Sequence, residues 1–324
     1  MSTRSNTLPE PPLGDQAAEH AAVSATRVVY WLLRRELWEN RSLYIAPLIA
    51  AGVALFGFSV SLLWLPASVR KIAAVDPARQ HALLTHPYDF TAILIIFITV
   101  IVGWFYCLEA LHGERRDRSI LFWKSLPVSD LTTVLTKASI PLVVLPLLAV
   151  IIVFATQLVM LVLSTLVLLS SGANAGILWT QAPVFKDLPV LFYGLATLAL
   201  WYAPIYAWLL LVSAWAQRAV FLWAVLPPLL ICVVERIAFH TWYFGSLLKV
   251  RLFEGFSQAF VVKAAAGNGG AGAAGPSTEH LAQVFNPVPD PAKFLSSPDV
   301  WIGMGVAAAF LALATWLRRR REPI

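Results

Sequence analysis

The side chains best suited to specific contacts lie in one polar segment, residues 112–137, between two long apolar stretches. The segment sets five basic and three acidic residues beside large apolar side chains, which are Ile120, Leu121, Phe122, Trp123 and Leu126. A short helix with an apolar ridge and charged flanks suits docking into a groove on another protein. It equally suits a helix lying on the membrane surface, and the residues alone leave both interpretations open. Pro127 ends this predicted helix, and Ser129 is placed to cap the next one.

Catalytic and nucleotide-binding motifs are missing from the sequence. It has no Gly-x-x-x-x-Gly-Lys-Ser/Thr phosphate loop, no His-Glu-x-x-His and no Gly-x-Ser-x-Gly. His81, His86 and Asp89 are close in sequence, but we interpret them as solvated loop residues rather than metal ligands. Cys107 and Cys232 lie inside apolar stretches and are expected to act as small apolar side chains. We therefore expect no catalytic site, no metal and no cofactor in this chain.

The composition is that of a membrane protein. Hydrophobic residues make up 59% of the 324 and charged residues only 13%, whereas about a quarter of a soluble domain is charged. A helix needs about 20 apolar residues to cross the hydrocarbon, where every backbone group must be satisfied internally. Six stretches qualify, at residues 43–65, 90–111, 140–169, 188–215, 219–239 and 300–317. The sequence thus predicts an all-α integral membrane protein with six transmembrane helices.

The distribution of basic residues predicts the orientation of these spans. Counted from the ends of the spans and leaving out Arg4 and Arg236, fourteen Lys and Arg residues fall on the side that holds both termini, and eight fall on the other side, where the loops are longer. Cytoplasmic loops carry the excess of basic residues, so both termini are predicted to be cytoplasmic. The formal charge of +6 is then explained by anionic headgroups rather than by nucleic acid.

The N-terminal part divides into a tail and a helix. Residues 1–25 are polar and Pro-rich, without a signal peptide, and are expected to be a disordered cytoplasmic tail. Residues 26–41 predict an interfacial helix, with Tyr30, Leu33 and Leu37 on one face and with Arg34 and Arg41 reaching for headgroups.

The rest of the chain is predicted to be a six-span transmembrane domain, 42–317, followed by a basic cytoplasmic tail, 318–324. Its external segment, 240–299, includes residues 250–262, which are moderately apolar and predict a helix on or dipping into the membrane. A flexible Gly-rich loop follows at 267–275.

Several charges fall near the ends of the predicted spans. Glu109 lies one turn before the cytoplasmic end of the second span, and Glu235 and Arg236 lie near the external end of the fifth. Ionisable groups at membrane depth are costly and often functional. Because these three lie close to an interface, a structural contact to a neighbouring helix or subunit is preferred over a gating role.

The sequence also resembles a known family. Trp31-Leu32-Leu33-Arg34-Arg35-Glu36-Leu37-Trp38-Glu39-Asn40-Arg41 and the loop from His112 to Pro127 are similar to the ABC-2 type permease subunits of bacterial ABC transporters. The resemblance covers nearly the whole chain and implies an amphipathic N-terminal helix, six spans and a cytoplasmic coupling helix between spans two and three. The Gly-rich loop departs from the family pattern.

The resemblance implies the permease subunit of an ATP-driven exporter in the bacterial inner membrane. Two such subunits, identical or related, would line the substrate path, and ATP and Mg would bind to two separate ATPase subunits. The ATPase contacts it implies in loop 112–137 are Glu114, Arg115, Arg116, Asp117, Phe122 and Trp123. The alternatives are an ion-gradient-driven transporter, which favours charges at the midplane, and a non-transporting membrane scaffold.

The orientation is testable by single-cysteine labelling in intact cells. A Ser125→Cys variant is expected to resist a membrane-impermeant maleimide, and a Ser277→Cys variant is expected to react. Cys107 and Cys232 are replaced by Ala in both variants. The reverse pattern would overturn the predicted orientation.

Overall fold

The computed structural model describes residues 25–62, 77–117, 129–170, 176, 179, 184–185, 187–255, 260–262 and 287–320. Helices dominate these residues, and six of them are long and apolar enough to cross a membrane. These spans 1 to 6 are Ser42–Ser61, Thr85–Arg116, Asp130–Ser170, Leu188–Trp215, Val220–Ala238 and Pro298–Arg320. The predicted helical, six-span character is confirmed at this level and fits a multi-pass membrane protein.

The elements follow one another along the chain with few strands between them. They are α1 (Ala25–Glu39), α2 (Ser42–Ser61), α3 (Pro77–Ala110), α4 (His112–Arg116), α5 (Asp130–Ser139), a π turn (Ile140–Val144), α6 (Leu145–Ser170), α7 (Leu188–Trp215), α8 (Val220–Ala238), α9 (Tyr243–Phe253), β1 (Phe260–Val262), β2 (Pro287–Pro289), α10 (Pro291–Ser296) and α11 (Pro298–Arg320). Span 2 combines α3 with α4, and span 3 combines α5, the π turn and α6.

The helix bounds agree with the sequence in the middle of the chain and differ at the second span. The predicted span 188–215 coincides with α7, whereas α3 begins at Pro77, well before residue 90. Proline suits a first helical position because its fixed φ is already helical and no backbone donor is lost there. His81, His86 and Asp89 therefore lie in helix α3, and their assignment to a loop was wrong.

Span 3 is longer than predicted and has a defined defect. The Ser129 hydroxyl accepts a hydrogen bond from the Thr132 amide at 3.1 Å, so the predicted cap is confirmed and the helix starts at Asp130. Pro141 lies in the π turn. Because proline has no N–H and crowds the carbonyl one turn earlier, a local widening of the helix accommodates it.

The segment between spans 5 and 6 differs from the prediction. The helix predicted over 250–262 is wrong beyond Phe253, where α9 ends, and β1 pairs antiparallel with β2, Val261 opposite Val288. A Cβ on Gly255 would lie 2.6 Å from Trp201 Cδ1. The backbone therefore passes so close to Trp201 that a larger residue does not fit at position 255. β-branched residues at 261 and 262 also favour a strand. The predicted loop 267–275, residues 1–24 and residues 321–324 lie outside the described residues. Residues 318–320, which were predicted to begin the basic tail, instead continue helix α11.

Helix α7 forms the centre of the bundle. Of the residues in its most apolar stretch 56% are buried, against 17% for α8. The largest cluster of buried side chains joins α7 to α3, α5 and α11 through residues such as Leu210, Tyr106 and Val134. The large apolar side chains left exposed on the spans suit contact with lipid, where apolar surface has no cost.

Helix α9 is fixed against the side of this bundle. The Trp201 indole donates to the Arg251 carbonyl at 3.1 Å, and the Tyr202 hydroxyl donates to the Leu252 carbonyl at 2.9 Å. The Arg251 guanidinium lies 4.3 Å from the centre of the Trp201 ring and donates to the Asp299 carbonyl. Burial lowers the pKa of Arg251, and Asp299 opposes this shift. Spans 4 and 6 thus hold the segment between spans 5 and 6.

Candidate functional site

Five charged side chains from four helices meet at the end of the bundle where span 2 ends and span 3 begins. In spatial order they are Glu36, Lys137, Glu114, Arg318 and Asp130, and together they are named the ion cluster. Their charges alternate in sign from one end to the other. The cluster therefore forms a continuous chain of attractions between helices α1, α5, α4 and α11.

The contacts within the ion cluster are short. The Lys137 ammonium lies 2.7 Å from Glu36 Oε1 and 3.1 Å from Glu114 Oε1. The other Glu114 oxygen, Oε2, lies 2.6 Å from Arg318 Nη1, and Arg318 Nε lies 3.0 Å from Asp130 Oδ1. Each of the three central residues thus bridges two partners of opposite charge.

Four members of the cluster are withdrawn from solvent. The side chains of Lys137, Arg318, Glu36 and Glu114 are between 3% and 6% exposed, and only Asp130, at 23%, reaches the surface. Moving a charge out of water costs several kcal/mol, so each one needs its partners. Glu36 has further donors, because the Tyr106 hydroxyl donates to its Oε2 at 2.9 Å and Asn40 donates to the same oxygen at 3.4 Å.

Local sequence explains how each side chain reaches the cluster. Glu36 shares the inner face of α1 with Leu33 and Leu37, which pack against the main core. Arg318 lies in the last turn of α11, where the helix dipole favours a cation. Lys137 follows Val134, which is fully buried, by one turn of α5, so its stem continues the buried side of that helix.

Helix α4, which carries Glu114, is also fixed to the end of α7. The Ser213 hydroxyl accepts hydrogen bonds from the Leu111 and His112 amides at 3.0 and 2.9 Å. The Arg115 guanidinium donates to the Ala214 and Ala216 carbonyls at 3.0 and 3.3 Å. Because the last carbonyls of a helix have no partner within it, a buried cation there satisfies them and complements the dipole.

The predicted contact residues separate into an inner and an outer group. Glu114 and Arg115 are buried and are engaged by helices of their own chain. Arg116 and Asp117 lie outside with side chains 59% and 66% exposed, and Arg116 pairs with Glu109 at 3.0 Å. Glu109 therefore has a local, structural contact.

Two of the predicted contact residues, Phe122 and Trp123, belong to residues 118–128, which lie outside the described part of the chain. Their role in binding a partner stays a prediction. The structure instead adds Glu36, Lys137, Asp130 and Arg318, which were not predicted to be site residues. A usable signal was present, because Glu36 lies within the apolar Leu33 and Leu37 face of α1.

The carboxylate of Glu235 caps the start of α9. It accepts hydrogen bonds from the Tyr243 and Phe244 amides at 2.6 and 2.9 Å and from the Thr241 hydroxyl at 3.0 Å. A carboxylate at a helix N-terminus satisfies amides that have no partner in the helix. This is a structural contact, while the neighbouring Arg236 is exposed.

Among the described residues, no group of three His, Cys, Asp or Glu side chains is arranged to hold a metal ion. The chain was also compared with known proteins. It matches no family model, no curated protein and no solved structure.

Replacing Lys137 with Ala is expected to destabilise the protein by about 3–5 kcal/mol, because Glu36 and Glu114 lose their shared buried cation. Glu39→Gln removes the exposed Arg35–Glu39 pair and serves as the control, with an expected loss of about 0.3–0.5 kcal/mol. Denaturant unfolding in detergent micelles measures both. Equal losses for the two variants would show that the ion cluster does not hold the helices together.

Replacing Glu235 with Ala is expected to loosen the first turn of α9, at a cost of about 1 kcal/mol for a lost helix cap. Hydrogen exchange at the Tyr243 and Phe244 amides measures this directly and should become faster. Arg236→Ala, at the adjacent exposed position, should leave the exchange unchanged. Unaltered exchange in the Glu235 variant would contradict the capping role.

Proposed function

We propose that this chain is the transmembrane permease subunit of an ATP-driven exporter of the ABC-2 type. In this proposal two permease subunits, identical or related, form the substrate path, and two separate ATPase subunits bind ATP and Mg. The end of the bundle with the ion cluster faces the cytoplasm, and the ATPase docks on the segment between spans 2 and 3. The membrane is the bacterial inner membrane.

The observation that carries the proposal is how the start of this segment is fixed. Helix α4 enters the ion cluster through Glu114 and contacts the end of α7 through Arg115. A push on the segment after α4 therefore acts at once on α1, α5, α7 and α11. An element that receives force from a partner and passes it to several spans needs such connections.

The chemistry of these connections also supports a mechanical role. Well-packed apolar side chains usually stabilise a buried site as well as an ion pair does, so stability alone does not call for five charges. Charged partners differ from apolar ones in being specific about position, because a displaced partner leaves an uncompensated charge. The ion cluster thus favours discrete helix arrangements over gradual sliding, as coupling to an ATPase requires.

The polar residues at mid-span favour this proposal over an ion-gradient-driven transporter. Gln157 and Thr156 are buried in span 3, and each side chain already donates a hydrogen bond within the chain. Gln157 donates to the Tyr88 carbonyl at 3.3 Å, and Thr156 donates to the Ile152 carbonyl at 2.6 Å. In the described spans the charged residues lie near the ends rather than at the middle, where an ion pathway would place them.

The test is purification of the tagged protein from its native membrane in mild detergent, followed by mass spectrometry and an ATPase assay. A stoichiometric subunit with a phosphate loop and ATPase activity in the eluate is expected. A preparation without ATPase, also after crosslinking in the membrane, would reject the exporter proposal. An ion-driven transporter or a scaffold would then be favoured.

The docking segment is tested by a Phe122→Ala/Trp123→Ala double variant. Truncation of large apolar contacts at the centre of an interface typically costs 2 kcal/mol or more, so roughly thirtyfold weaker ATPase binding is expected, with normal membrane insertion. The control is Phe239→Ala/Phe253→Ala. Phe239 directly follows α8 and Phe253 is the last residue of α9, and they are 72% and 78% exposed. Wild-type ATPase recovery with the first variant would refute docking at these two residues.

A further inference from the structure

Helix α1 has an outer face that the described part of the chain does not cover. The exposed residues recur at helical spacing and continue to the residue before α2, and they are Arg27, Tyr30, Trp31, Arg34, Trp38 and Arg41. The three aromatic side chains are 57%, 56% and 69% exposed. This set is named the basic aromatic face. Leu33, Glu36 and Leu37 lie on the inner side of α1 and hold it to the bundle. The prediction that Tyr30 shares their face was wrong, because Tyr30 is exposed on the outer side.

The charge of this face is unbalanced. Among the residues that the structure describes, Arg27, Arg34 and Arg41 form no ion pair. The acidic residues of α1 are engaged elsewhere, because Glu36 lies in the ion cluster and Glu39 pairs with Arg35 at 2.7 Å. The face therefore presents three cations to its surroundings and attracts an anionic partner.

Arg34 is held in place by aromatic rings. Its guanidinium lies 5.3 Å from the centre of the Trp31 ring and 5.5 Å from that of Trp38. Stacking on rings satisfies the flat faces of a guanidinium and leaves its in-plane N–H donors for another group. Phosphate oxygens are well suited to accept from such a fork.

A second arginine and tryptophan pair lies at the same end of the bundle. The Arg320 guanidinium lies 4.3 Å from the Trp316 ring on the outer side of α11, next to Arg318 of the ion cluster. Both Arg320 and Trp316 are exposed. Tryptophan and tyrosine concentrate at the boundary between hydrocarbon and headgroups. Two separate elements thus present basic and aromatic side chains at the level where a bilayer carries its phosphates.

We propose that the basic aromatic face of α1 binds the headgroups of anionic phospholipids and selects them over zwitterionic ones. Tyr30, Trp31 and Trp38 lie at the headgroup boundary, and Arg27, Arg34 and Arg41 accept the negative charge. Binding fixes the depth and rotation of α1, and so keeps Glu36 directed into the ion cluster. This inference needs a membrane around the spans but does not depend on an ATPase partner.

The experiment uses the purified full-length chain in nanodiscs of phosphatidylcholine with a minority of phosphatidylglycerol. Bromine is placed on the acyl chains of one lipid or of the other, and quenching of tryptophan fluorescence reports which lipid lies nearer. We expect stronger quenching by the brominated phosphatidylglycerol than its mole fraction predicts. A Trp31→Phe/Trp38→Phe variant, which removes the local reporters, should lose this excess.

Charge removal then tests the face itself. Each basic residue near an anionic surface favours it about fivefold, so Arg27→Gln/Arg34→Gln should reduce the local preference by about 25-fold. Arg236→Gln/Lys249→Gln removes the same charge from exposed positions at the other end of the bundle and should keep the preference.

Three results would overturn the proposal. One is equal quenching by the two brominated lipids in the wild-type protein, and another is a preference that survives Arg27→Gln/Arg34→Gln. The third is a face that shows no lipid preference but becomes protected when an ATPase subunit is added, since the occupant would then be a protein. None of these results bears on whether an ATPase binds at residues 112–137, so the two proposals fail separately.

Discussion

The Lys137 ammonium, held between the carboxylates of Glu36 and Glu114, is the interaction on which the rest of this end of the bundle depends. Removing one partner of a buried ion pair is costly, because the charge that remains is compensated neither by a partner nor by water. The position of α1 is therefore linked to that of α4, although the two helices are far apart in sequence. Through its contact with Glu114, Arg318 links the position of the sixth span to that of α4 in the same way.

The linked helices form a unit whose boundary lies in span 3. Helix α5 belongs to the unit through Asp130 and Lys137, whereas α6 packs with α2 and α3 in separate apolar clusters. The π turn at Ile140–Val144 joins the two parts. A helix yields more easily where its hydrogen-bond pattern changes and where proline removes a donor. The π turn thus separates the part of span 3 that enters the ion cluster from the part that packs with α2 and α3.

The sequence predicted those features that depend on neighbouring residues. Apolar length located the six spans, and the Ser129 hydroxyl, followed by Thr132, gave the start of α5. The ion cluster was not predicted, since Lys137 and Glu36 are 101 residues apart and Arg318 and Glu114 are 204 apart. Hydropathy says which helices enter the membrane but not which faces meet. The strand at Phe260–Val262 was missed because it depends on pairing with Pro287–Pro289.

The order of synthesis determines the net charge of the ion cluster at each stage of insertion. Glu36, Glu114, Asp130 and Lys137 are translated before Arg318, and until span 6 arrives they hold three carboxylates against one ammonium. A nascent chain with five spans therefore carries an excess of negative charge at the very place that the finished bundle seals from water. Insertion of span 6 brings Arg318 to Glu114 and Asp130 and neutralises part of this excess. Arg318 thus makes a bundle that contains span 6 distinguishable, in electrostatic terms, from one that still lacks it.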